Sequence, residues 1–132
     1  MKNYDKIYNS KKDVNLKFDL ANGYISTTEI LLEAEKMVIK IDAKGYVEFL
    51  DFEDMVIASI NIPEQTGGKE VYTEVMCGIE NESLLLKFPI VKWIDNYPHC
   101  DGEHDRWDTK IIGCHVLTFD LLTNQINLNS VL

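Results

Sequence analysis

Residues 37–52, MVIKIDAKGYVEFLDF, decide the fold class. Met37, Ile39 and Ile41 alternate with Val38, Lys40 and Asp42. Successive side chains of a strand point to opposite faces, so a period of two marks a strand rather than a helix. Asp42-Ala43-Lys44-Gly45 carries the residue types that support a tight reversal, and Tyr46 to Phe52 is the returning strand.

Toward the C-terminus the same pattern repeats. Met55 to Ile62 reads as a strand stopped by Pro63, and 65–69 as a loop. Glu70 to Ile79 is a strand, Glu80-Asn81-Glu82-Ser83 a turn, and Leu84 to Trp93 a largely apolar strand. Proline cannot donate to a ladder, so Pro89 inside that run predicts an edge or a bulge. Residues 95–109 form the one long irregular segment. Lys110 to Leu121 is a strand, Thr123-Asn124 a turn, and Gln125 to Asn129 a last strand.

Toward the N-terminus, residues 28–38 are ambiguous. Ile30, Leu31, Ala34, Met37 and Val38 sit at helical spacing, and Ser26 with Glu29 has the form of a capping box. Ile30, Leu32 and Ala34 also alternate as a strand does; the reading leans to a short helix. Val14, Leu16, Phe18 and Leu20 alternate with polar residues and run into Asn22-Gly23, the favoured pair for a tight hairpin, so Tyr24 to Thr28 is expected to return beside them. Residues 1–12 are polar and without period, the mark of a flexible tail. The expected architecture is mainly β: an antiparallel sandwich or strongly curved sheet of about eight strands in a single domain over 13–132, with at most one or two short helices. Leu16–Leu20 (LKFDL) echoes Leu117–Leu121 (LTFDL). Two similar hairpins explain this more simply than duplication, because half of the chain is a marginal size for its own sandwich.

The 132 residues fit one domain, and the 45% of apolar residues exclude a disordered chain. The formal net charge is −9, unevenly spread. Residues 1–20 hold five lysines against three aspartates, whereas residues 29–54 hold eight acids against three lysines. An anionic body cannot replace the counterions around phosphates, so neither nucleic acid nor an anionic membrane is an expected partner, and a basic protein is. No run approaches the roughly 18 apolar residues that a spanning helix needs. The first residues, MKNYDKIYNSKKD, lack the apolar stretch of a signal peptide, which leaves the cytoplasm as the expected location. Cys77, Cys100 and Cys114 are an odd, sparse set without a C-x-x-C pair, so they are expected to be reduced thiols.

Chemistry concentrates in 95–108, DNYPHCDGEHDRWD. It contains five acids, two of the three histidines, a cysteine, the single arginine and one of the two tryptophans. Four readings stand side by side. Cys100, His104, Cys114 and His115 are zinc-ligand types, although Cys114 and His115 are neighbours that a strand points to opposite faces. Asp95, Asp101, Glu103, Asp105 and Asp108 around Gly102 offer oxygens to calcium, without the spacing of an EF-hand. His99 or His104 beside Asp101 or Asp105 suits proton transfer, yet no nucleophile or phosphate-loop motif accompanies them. Finally, Tyr97, Arg106 and Trp107 are residue types that dominate binding hot spots, inside the acidic rim of Asp101, Glu103, Asp105 and Asp108. A second acidic patch, Glu48, Asp51, Glu53 and Asp54, reads as a wet face backed by Phe49 and Phe52.

The expectation that follows is a small acidic module that binds and neutralises a partner protein, using Tyr97, Asp101, Glu103, Asp105, Arg106, Trp107 and Asp108, with no cofactor and no catalytic residue. Its alternative is a metal-binding domain or metal-dependent enzyme using 95–115. In size and composition the chain is similar to bacterial immunity proteins and phage-encoded inhibitors, which block basic effectors such as nucleases; no motif carries the likeness. Twelve lysines to one arginine, with many Ile and Asn, point to a low-GC bacterium or one of its phages.

Overall fold

The structure, a computed structural model, describes residues 6–10, 13–20, 27–63, 74–95 and 107–131; for 6, 93–95 and 107–109 the backbone alone is described. Ten strands follow one another: β1 (Lys6–Tyr8), β2 (Leu16–Asp19), β3 (Thr27–Leu32), β4 (Met37–Asp42), β5 (Tyr46–Asp51), β6 (Val56–Asn61), β7 (Glu74–Glu80), β8 (Ser83–Asp95), β9 (Trp107–Asp120) and β10 (Ile126–Val131). They form two five-stranded sheets, ordered β1-β3-β4-β5-β6 and β10-β9-β8-β7-β2. The fold is the expected mainly-β sandwich, and no helix occurs among the described residues.

The two sheets are joined by one core. In the first, the rung Ile30–Ile39–Phe49–Ala58 runs across four strands, and Ile30, Ile39 and Phe49 are fully buried. In the second, Leu84 pairs with Phe119 and Leu86 with Leu117, all fully buried. The rings of Phe49 and Phe119 stack across the interior, with centroids 4.3 Å apart and planes 13° from parallel. Each such side chain contributes roughly 1.5–3 kcal/mol by leaving water. Val38 and Leu50 occupy the next rung, of opposite parity to Ile39 and Phe49, and are also buried, so the first sheet is covered on both faces at its centre.

The turns follow from local chemistry. Between β4 and β5, Asp42 Oδ1 accepts from the Lys44 amide (2.7 Å) and Gly45 takes φ 108°, a conformation that costs glycine little. Between β7 and β8, Glu80 pairs with Ser83 across Asn81 (φ 50°) and Glu82 (φ 64°), a two-residue turn whose twist matches that of the strands. After β9, Asp120 Oδ1 accepts from the amides of Leu122 and Thr123, and Asn124 takes φ 61°.

Three expectations are corrected. Residues 28–38 are not a helix: β3 and β4 form a hairpin that turns at 33–36, with Lys36 at φ 53°. The helical spacing arises because apolar residues on both faces of two strands fall into register around a turn. Second, β2 and β3 are not a hairpin. β2 pairs with β7 in the second sheet while β3 pairs with β4 in the first. The Thr28 hydroxyl donates to the Asp19 carbonyl (2.8 Å) where the chain passes between sheets. Asn22-Gly23 lies outside the described residues, and the likeness of Leu16–Leu20 to Leu117–Leu121 is therefore not one of two hairpins. Third, part of the expected tail is structured. β1 pairs in parallel with β3, and Tyr8 is fully buried in the core. A three-residue strand has too few positions to display a period.

Candidate functional site

β8 and β9 are the longest strands, 13 and 14 residues. β7 accompanies β8 only as far as Met76↔Lys87, and β10 accompanies β9 only as far as Val131↔Cys114. Beyond Ile90↔Gly113 the two strands pair with each other alone among the described residues, through Val91↔Ile111, Lys92↔Lys110, Trp93↔Thr109, Ile94↔Asp108 and Asp95↔Trp107. At about 3.4 Å per residue these five rungs give the β8–β9 ladder roughly 17 Å of length past the bulge.

Pro89 stands at the root of this ribbon. It immediately precedes the bulge between Ile90 and Val91. Of the two expected consequences of Pro89 the bulge is present, whereas β8 is an interior strand, between β9 and β7. The bulge also shifts parity: Ile111 is 60% exposed, although it stands at an even spacing from the buried His115, Leu117 and Phe119. Lys92 and Lys110, directly opposite each other, are both exposed. Like charges on one rung disfavour pairing, so the ribbon is not optimised for its own stability.

The segment joining β8 to β9 is the one singled out by sequence. Trp107 and Asp108 belong to β9, so the irregular stretch expected over 95–109 is shorter at both ends. Tyr97, His99, Cys100, Asp101, Glu103, His104, Asp105 and Arg106 lie outside the described residues. Backbone register therefore brings two of the seven expected contact residues, Trp107 and Asp108, to the end of the ribbon.

Of the expected metal ligands, Cys114 and His115 can be placed. They are successive residues of β9; His115 is buried on the Leu117–Phe119 side and Cys114 is half-buried. His115 Nδ1 lies 2.6 Å from Ser130 Oγ, and burial pushes the imidazole below its ordinary pKa. Among the described residues no three His, Cys, Asp or Glu side chains converge as a metal-binding group. Cys77 and Cys114 are both free thiols. Cys77 is fully buried, and desolvation followed by the charge of Glu35 pushes its pKa up to about 12, which leaves it protonated and unreactive at neutral pH.

The second acidic patch has a structural use for one of its members. Asp51 Oδ1 accepts from the amides of Glu53 (2.8 Å) and Met55 (3.0 Å), closing the β5–β6 turn. Phe52 does not back this patch from the core as expected: it is 51% exposed on the turn, beside Met55 at 63%. A four-residue connection reverses the chain before the inward alternation reaches Phe52.

Sequence reading missed a third group. Tyr8 from β1, Ser10 and Glu35 meet at one end of the sandwich. The Ser10 hydroxyl donates to Glu35 Oε1. Burial, then the nearby Cys77 sulfur and the Glu35 carboxylate, raise the Tyr8 hydroxyl above its ordinary pKa, against a lowering contact from the Ile79 backbone. The signal in the sequence is slight: Ile7 and Tyr8 stand together in a mostly polar segment.

Comparison with protein-family models, with curated proteins and with solved structures finds no match to this chain. No described helix is long and apolar enough to cross a membrane.

Proposed function

We propose that the chain is a protein-binding module that engages and neutralises a basic partner, in the manner of immunity proteins or phage-encoded inhibitors, through the end of the β8–β9 ribbon. The observation that supports this reading most is the long β8–β9 ladder and the segment at its end. β8 and β9 stay paired for five rungs past the bulge, and they end at the segment with Tyr97, Arg106 and Trp107 among Asp101, Glu103, Asp105 and Asp108. Aromatic and arginine side chains supply hot-spot area, and an acidic surround steers a cationic surface toward it. A net charge of −9 works in the same direction at long range. The encounter takes place in the cytoplasm, where a basic effector such as a nuclease would be held inactive.

The test is affinity capture from the source organism with the parent chain and with Trp107→Ala. The expected result is a stoichiometric basic protein retained by the parent, released by rising salt, and lost with the variant. Equal retention by both chains overturns the ribbon as the contact, and a stoichiometric metal lost on Cys100→Ser with His104→Ala would favour the metal-binding alternative.

A further inference from the structure

The cluster at Tyr8 is set apart by two buried polar atoms. Tyr8 is fully buried and its hydroxyl lies near the Ile79 backbone, yet among the described residues no group completes an ordinary hydrogen bond to it, nor to the buried Oε2 of Glu35. The two belong to one locality. Tyr8 pairs with Leu32, three residues before Glu35, and the Ser10 bond to Oε1 fixes the carboxylate beside the segment that follows Tyr8. The Tyr8 hydroxyl also feels the charge of Glu35 and the thiol of Cys77 on the opposite sheet. A buried polar atom left without a partner costs about 1–3 kcal/mol, and more when charged. Two such atoms in one small region are out of keeping with a core otherwise filled by apolar side chains.

We infer that the Tyr8 hydroxyl and Glu35 Oε2 enclose a binding site for a single buried water molecule, which joins the N-terminal strand to the β3–β4 turn. A water donates to Oε2, accepts from the phenol and keeps a second proton for a main-chain carbonyl, which is the usual valence of a buried water. A metal cation is the poorer fit. One carboxylate oxygen and one neutral phenol supply a single charge, far short of the six or more oxygens that a hard cation gathers. Cys77, as a protonated thiol, is no ligand either.

A high-resolution crystal structure of the intact chain tests the site directly. The expected result is a single density peak about 3 Å from both oxygens. A direct Tyr8–Glu35 contact with no third atom overturns the inference, as does a peak that gains anomalous signal after rubidium soaking. Thermal melts of Tyr8→Phe give an independent sign. Removing one partner of a bound water lowers Tm, by about 3 °C or more for a chain of this size. Removing a hydroxyl that bonded nothing leaves Tm unchanged or raises it, and that result also overturns the site. The crystallographic outcome stands even if Tyr8→Phe does not fold.

Discussion

The body of the second sheet and the ribbon that leaves it are made of the same two strands, held by different forces. Within the body, Leu84, Leu86 and Phe88 of β8 and Leu117 and Phe119 of β9 are fully buried. Past the bulge, the ladder continues with Lys92 facing Lys110 and with Ile111 largely exposed. A two-stranded ladder is marginal by itself, and Val91, still buried in its first rung, ties the root of the ribbon to the body. The difference teaches that stability and recognition can be read separately along one strand. Substitutions in the body should unfold the chain, whereas substitutions at the ribbon's end should change only what it binds.

Phe119→Ala should give the largest effect. Losing the ring that stacks on Phe49 removes its transfer energy and leaves a cavity, for a cost of about 3–5 kcal/mol in denaturant unfolding. A cost under 1 kcal/mol would mean that the two sheets do not depend on this contact. Trp107→Ala should cost on the order of 2 kcal/mol of partner binding, chiefly as faster dissociation, with Tm unchanged. A sharp fall in Tm would instead make Trp107 part of the fold and erase the distinction between body and ribbon.

His115 should produce a gentler, pH-dependent effect in the body. Burial holds its folded-state pKa below the ordinary 6.5, so the unfolded chain takes up the proton first. The associated stability is complete above pH 6.5 and is lost as pH falls through the folded-state value. Tm measured against pH should fall on the acid side in the parent and lose that component in His115→Gln. An identical profile in the variant would assign the slope to other groups. Asp101→Asn or Glu103→Gln should have the smallest effect, slowing association in a salt-dependent way and leaving dissociation nearly unchanged. If either variant matched Trp107→Ala in dissociation rate, the acids would be buried contacts rather than a steering rim.

Much of the body was legible in sequence because its signals are local. Alternation at Met37, Ile39 and Ile41, the side-chain bond from Asp42 to its own turn, and tight turn residues such as Asn81 all act within a few positions. The readings that failed concern choice of partner. Asn22-Gly23 suggests a hairpin by its own chemistry, but β2 obtains its neighbour from β7, far along the chain. Residues 28–38 satisfy helical and strand periods together, and cross-strand pairing with 37–42 decides between them. Of the candidate site, the cluster of chemistry-bearing residues was evident, while the pairing of its two ends, Asp95 with Trp107, was not, because strand length depends on cross-strand ladder bonds.

The sequence by itself determined the mainly-β class, most of the turns, the acidic character and the unusual composition of residues 95–108, since each depends on residue type and short-range spacing. Only the tertiary structure decided which strands share a sheet, that Tyr8 leaves a polar segment to enter the core, that Ile111 turns outward at a bulge, and that β8 and β9 stay paired as far as Asp95 and Trp107. These are settled by burial and by ladder bonds between distant parts of the chain, and the energy of such contacts belongs to pairs of residues that no local pattern brings together.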